Sequence, residues 1–212
     1  SVRPKLFKNY KENITLSLDS WNKFFYLHTN ENAENFKVIK SSHKNPNIFE
    51  DVIKPKKNTI IGSPIMLKNW MVWVEKSNAN YYIFIQNNQN LQIKELKLFN
   101  DDVRQVACTN YEKNDDSNFV YISYSTPIST HKTLLYNLKT EKYKIVKEQI
   151  IPSGYNQKNY IVERLYALSH DKKNIPITII RHKKTKLNSE SKLILYGYGS
   201  YGSSLGNSFS SN

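Results

Sequence analysis

The sequence predicts a mainly β fold: about three blades of an incomplete β-propeller, followed by the opening strands of an α/β sheet. Three observations predict it. Short runs rich in Tyr, Phe, Ile and Val, separated by Asn, Ser and Lys turns, fill the first 150 residues. Runs of one form begin at Phe24, Met71 and Phe119, a repeat of 47 and 48 residues, and several strands per unit at that period mark a propeller blade. Beyond Pro152-Ser153-Gly154 the pattern changes and ends in a crowd of glycines.

The elements follow in order. Residues 24–30 (FFYLHTN) read as a strand entering a turn, with a second strand at 35–39. Residues 71–77 (MVWVEKS) repeat the form and are followed by strands at 81–86 and 92–98. Residues 119–125 (FVYISYS) repeat it again, with strands at 133–138 and 142–146. Asn takes many of the turn positions that Gly, with only 6 residues, does not fill. The even spacing outweighs the alternative of three unrelated hairpins from a sandwich. Trp21, Trp70 and Trp73 are expected to fill blade cores, and Cys108 reads as a small buried hydrophobe rather than a reactive thiol. Three blades do not close a ring, so open sheet edges are expected and the chain reads as part of a larger molecule.

Residues 160–169 read as a strand, 170–174 as a tight turn and 175–181 as the hairpin partner, with Pro176 marking an edge or a strand start. A charged loop covers 182–191. Residues 193–196 (LILY) form a continuous apolar run into Gly197-Tyr198-Gly199-Ser200-Tyr201-Gly202, the way strands of an α/β sheet present a site. Four of the six glycines lie between Gly197 and Gly206, which implies backbone shapes only glycine tolerates or close approach to a ligand.

Composition narrows the function classes. At 39% hydrophobic the chain of 212 residues has material for a core, and wholesale disorder is excluded. There is no apolar run of membrane-spanning length and no signal-peptide stretch at the start; the chain begins without Met, as an excised piece would. The single cysteine allows neither an internal disulfide nor a Cys-based metal site, so the expected compartment is the cytoplasm. The net charge of +13 points toward nucleic acid. It is better explained by a compositional bias toward Lys (27) and Asn (26), with Arg only at Arg3, Arg104, Arg164 and Arg181. The basic residues are scattered and no nucleic-acid recognition motif is present, so neither a nucleic-acid nor a membrane partner is expected. His28, His43, His131, His170 and His182 form no HExxH and no close pair, so no metal and no cofactor are expected. His170-Asp171 reads as a turn pair, and Asp101-Asp102 and Asp115-Asp116 as solvated loop residues.

The segment LILYGYGSYGSSLGNSFS, preceded by VERLYALSHDKKNIPITIIRHKK, resembles the oligopeptidase B branch of the prolyl oligopeptidase family of serine peptidases. Upstream, FFYLHTNENAENFKV, WMVWVEKS and TLLYNLKTEKYKIVKEQIIPSGYN resemble the later propeller blades of that family, in the right order. The resemblance implies a seven-bladed propeller joined to an α/β-hydrolase domain. Residues 1–153 would be the last blades and 154–212 the start of the hydrolase domain. It implies a serine-type endopeptidase that cleaves short peptides after basic residues through an acyl-enzyme. The catalytic Ser, Asp and His would all lie past residue 212, so this stretch alone would be inactive and its partner would be a downstream catalytic fragment.

The resemblance gives Tyr198 a role: its phenol would donate to the tetrahedral oxyanion, where charge develops only in the transition state. Two departures stand out. Where the branch has an Asp-x-Asp that helps bind basic side chains, this sequence has Gly206 and Ser208, which carry no charge. Lys172 occupies a turn position where a hairpin Asp-Gly is common, so it must adopt an unfavourable turn conformation. The formal G-x-S-x-G at 202–206 is not a nucleophile elbow, because a loop separates Ser204 from the apolar strand and too few residues follow for a helix. A second class stays open: a non-catalytic propeller-type module that binds a peptide or partner protein by strand addition at exposed blade edges.

Overall fold

The computed structural model describes residues 3, 6–9, 11–110, 116–201 and 203–211; Asp115 and Gly202, singled out above, lie outside them. Its described residues form three antiparallel sheets in succession and one long hairpin. Blade one is β1 (Leu16–Trp21), β2 (Phe24–Thr29), β3 (Lys37–Ser42) and β4 (Glu50–Ile53), paired in that order. In blade two, β5 (Thr59–Ile61) and β6 (Ile65–Leu67) both pair with β7 (Trp70–Ser77), which continues to β8 (Asn80–Asn87) and β9 (Ile93–Leu96). Blade three is β10 (Gln105–Thr109), β11 (Phe119–Ser125), β12 (Lys132–Asn137) and β13 (Lys142–Glu148). A 3₁₀ turn at Gln157–Asn159 leads to the hairpin of β14 (Tyr160–Leu168) and β15 (Asn174–His182).

The repeat legible in the sequence is the second strand of each blade: β2, β7 and β11. The expected strand at 35–39 begins instead at Lys37, because Asn35 lies in the preceding turn, where its carbonyl accepts from the Ile61 amide at 3.0 Å. β5 and β6 are one strand broken at Gly62. Four steps from Ile61 to Ile65 oppose three from Glu75 to Val72, a one-residue bulge. The Gly62 amide donates to Val74 O at 2.8 Å, and a Cβ at Gly62 would sit 2.8 Å from that same oxygen, so only glycine fits.

Asparagine makes the tight turns. Asn22-Lys23 and Asn78-Ala79 each have two positive φ angles, 47° and 65°, then 49° and 52°. They close two-residue hairpins at Trp21↔Phe24 and Ser77↔Asn80. Positive φ at both central residues defines the turn whose twist matches the strands, and Asn tolerates it at the least cost after glycine. Lys172 does adopt positive φ, 61°.

The core lies between blades. Alternate residues of β7 face opposite ways: Met71 and Trp73 join Tyr26, Val38 and Ile53 of blade one, while Val72 joins Ile122 and Leu134 of blade three. β8 does the same, Phe84 toward blade one and Ile83 and Ile85 toward blade three. Blade two is thus apolar on both faces, which is why MVWV and YIFI read as near-continuous apolar runs. Each fully buried aliphatic side chain contributes about 1.5–3 kcal/mol. The far face of blade one is covered by the N-terminal arm, with Phe7 edge-on to Phe25 at 4.9 Å between ring centroids. Lys8 and Lys11 hold the arm by pairing with Glu31. On blade three, Phe119, on the face turned away from blade two, is 43% exposed.

Trp73 is buried, and its indole donates to the buried Glu75 carboxylate at 2.9 Å, which also takes Lys56 at 2.6 Å. Trp70 donates to Asn118 Oδ1 at 3.1 Å, joining blades two and three. Cys108 sits half-buried against the same core, and burial pushes its thiol up to about 12.

Candidate functional site

The strand registers put the β7–β8 turn, the start of β10 and the end of β11 on one face of the blades, since Ser77 pairs with Asn80 and Gln105 with Ser125. The C-terminal stretch returns to this face. The hairpin reaches it first, with the Arg164 guanidinium donating to the Asn78 carbonyl at the β7–β8 turn and to Thr178 Oγ1. On the other side of the hairpin, Arg181 grips Glu163 at 2.9 Å and holds its carboxyl below the usual range.

Residues 193–196 then depart from expectation. They form no strand, and Leu193, Ile194, Leu195 and Tyr196 are 76–91% exposed. An apolar run becomes a strand of an α/β sheet only with neighbours to take its amides and carbonyls, and the described residues place no strand beside it. Tyr198 stands at the head of the loop, 52% exposed. Gly197 and Gly199 have neither a positive φ nor any atom within 4 Å of an added Cβ, so glycine is not required at either in this structure. The crowding has another cause at Gly206, where an added Cβ would stand 2.1 Å from Gln105 Oε1.

Past the loop the burial alternates with a period of two: Leu205 is half-buried and Asn207 and Phe209 buried, while Ser204, Gly206 and Ser208 are exposed. Asn207 is 6% exposed and its amide donates to two carbonyls, Ala79 O in blade two and Arg104 O at 3.4 Å at the edge of blade three. Phe209 is 8% exposed, edge-on to Tyr155 at 5.0 Å, and its carbonyl accepts from His131 Nε2 at 3.2 Å. The Tyr155 hydroxyl donates to Ile128 O at 2.6 Å, and burial raises its pKa, so it remains a donor. Ser204 accepts from the Lys76 ammonium at 2.6 Å. That is a donor where a nucleophile needs a base.

Arg104 organises the receiving surface. It donates to Tyr81 O and Asp101 O, both at 3.0 Å, and to Glu95 at 3.2 Å, while lying over the Tyr82 ring. Its backbone amide donates to Asn80 Oδ1 at 2.9 Å. Asp101 is therefore not the solvated loop residue the sequence implied: it also accepts from the Tyr124 hydroxyl, whose pKa burial and then this carboxylate push up. Asp116 pairs with Lys68 at 2.8 Å, and Asp171 with Ser169 and Lys173. The described residues contain no group of three His, Cys, Asp or Glu arranged to hold a metal, and none of their helices is long and apolar enough to cross a membrane. Sequence reasoning missed Asn207, Phe209, His131 and Arg104; the signal for the first two was the alternation Leu205-x-Asn207-x-Phe209.

Three successive antiparallel sheets of four, five and four strands, sharing cores between neighbours, define a β-propeller domain whose sheets do not close into a ring. The profile of the family described as prolyl oligopeptidase, N-terminal beta-propeller domain, matches residues 3–149, and the chain belongs to this family. It is 22% identical over 199 residues to Protease 2 of Moraxella lacunata, covering 94% of this chain and 28% of that protein. Oligopeptidase B from Trypanosoma brucei with covalently bound antipain shares the fold at a TM-score of 0.86 and 20% identity, over 96% of this chain and 30% of that one. Prolyl oligopeptidase B from Galerina marginata, bound to a 35mer substrate, gives 0.78 and 20% over 95% and 28%. The chain therefore spans less than a third of these relatives.

Proposed function

We propose that residues 1–153 are the later propeller blades, and 154–212 the opening of the hydrolase domain, of an oligopeptidase B-type serine peptidase acting on short peptides in the cytoplasm. The observation that carries this reading is the reach of the similarity. The family profile ends at residue 149, yet the likeness to Protease 2 covers 94% of the chain and so runs on into the hairpin and the Gly-rich loop. Tyr198 supplies the oxyanion donor, a neutral phenol that gains most when the substrate carbonyl becomes an alkoxide. The nucleophile, its base and the orienting carboxylate come from a catalytic segment downstream. Cleavage follows a basic residue read by that segment. Gly206 and Ser208 offer no carboxylate, so a second basic residue gains nothing here.

The test is reconstitution. Residues 1–212 alone should leave Arg- and Lys-amide reporters uncut. Joined to a downstream segment bearing the triad, they should cleave them. Activity of the isolated chain that Ser204→Ala abolishes would contradict the proposal.

A further inference from the structure

We propose that residues 203–211 are a strap that fastens the Gly-rich loop to blades two and three, with Asn207 and Phe209 as its anchors, so that the blades help set the position of Tyr198. The placement of the loop supports this. Leu193 to Tyr196 on its N-terminal side are largely exposed and form no strand, whereas Asn207 and Phe209 on its C-terminal side are buried. On the near side the chain is held to the blades further back, where Arg164 of the hairpin donates to the Asn78 carbonyl.

The anchors differ in chemistry and in what they bind. Asn207 spends one amide nitrogen on two carbonyls from different blades, Ala79 O and Arg104 O. Both carbonyls are fixed in turn. Ala79 belongs to the tight turn after β7, and the Arg104 backbone is locked by Asn80 and by its own guanidinium contacts. Asn207 therefore reads the seam between two blades. Phe209, two residues on and on the same side, sits edge-on to Tyr155, whose hydroxyl ties to Ile128 O. His131 holds its carbonyl. Just before the first anchor, Gly206 passes close to the Gln105 side chain, which an added Cβ would push aside.

The strap itself is tested on the chain as it stands, by carboxypeptidase trimming read by mass. Wild type should lose the terminal residues and stall at Phe209. Asn207→Asp keeps the side-chain shape but replaces the donor with an acceptor facing two carbonyls. It and Phe209→Leu should be trimmed through the anchors at least about tenfold faster. Ser208→Ala, on the outward side, should stall like wild type. Emission from Trp21, Trp70 and Trp73 should be unchanged in all three. Equal stalling of variants and wild type overturns the strap, and so does fast trimming accompanied by altered tryptophan emission, which would make the anchors part of the blade core.

The positioning role rests on the peptidase reading and is tested in the joined enzyme. Asn207→Asp should lower kcat by about 10–10²-fold with little change in KM. The same change in a Tyr198→Phe background should cost little, since the group being positioned is gone. Equal losses in both backgrounds overturn the positioning role. A joined enzyme with no activity would remove the peptidase reading, and trimming alone would then judge the strap.

Discussion

Two apolar runs of similar composition meet opposite fates in this chain. Residues 24–27 (FFYL) lie in the second strand of blade one, where Tyr26 and Leu27 are 7% and 0% exposed. Residues 193–196 (LILY) are more apolar by composition and are almost entirely exposed. The difference is supply of neighbours. β2 has β1 and β3 on either side and blade two over its face, while the described residues offer LILY no partner strand. Hydrophobicity marks a segment that wants burial, and the rest of the chain decides whether it is buried.

The largest expected effect sharpens this contrast. Leu134→Ala, at a fully buried site shared by blades two and three, should destabilise the chain by about 2–5 kcal/mol. Leu195→Ala, at 86% exposure, should stay within about 0.5 kcal/mol. Urea midpoints followed by tryptophan emission make the comparison. A large loss from Leu195→Ala would mean that LILY is covered after all.

Acid should separate the arm of blade one from the rest. Glu31 is held down to about 2 by hydrogen bonds from Lys11 and Lys8, against an ordinary value of 4.5. Its folded-state value lies below the unfolded one, so the stabilisation is complete above about 4.5 and fades as the pH falls toward about 2. Between those limits wild type should lose urea resistance and Glu31→Gln should lose less. Identical pH profiles would show that the clasp contributes nothing. The two lysine contacts are on a partly exposed carboxylate, so the effect should be modest and weakened by salt.

A smaller effect compares a blade turn with the Gly-rich loop. Ala79 has φ of 52°, and Ala79→Gly should stabilise by about 0.5–1 kcal/mol by relieving a left-handed conformation. Gly197 lacks both positive φ and close neighbours, so Gly197→Ala should be tolerated within about 0.5 kcal/mol. Thermal melting distinguishes them; strong destabilisation by Gly197→Ala would restore a conformational need for glycine there.

The sequence showed the central strands and hid the edges, for a physical reason. β2, β7, β8, β11 and β12 have neighbours on both sides and carry recognisable apolar runs. First strands were missed. β1 (LSLDSW) is an exposed edge strand with charge in it, as edges that must not pair with other chains tend to be. β5 and β6 are three residues each and broken at the Gly62 bulge. β10 is short. Only β9 and β13 among the outer strands were visible, and β13 guards its edge with Lys142, Lys144 and Lys147. At the candidate site, Tyr198 came from a resemblance in the Gly-rich motif. The residues that hold its loop, Asn207 and Phe209, sit among serines and asparagines with no motif, and their partners lie about 50–130 residues away.

The central claim is that this loop serves an acyl-transfer site, and the hydroxyl of Tyr198 tests it most directly. In the joined enzyme, Tyr198→Phe keeps the ring and removes one donor. The account predicts a fall of about 10²–10³-fold in kcat with KM little changed, and a far smaller loss for Tyr196→Phe. A Tyr198→Phe enzyme altered only in KM, or a Tyr196→Phe enzyme equally damaged, would contradict it.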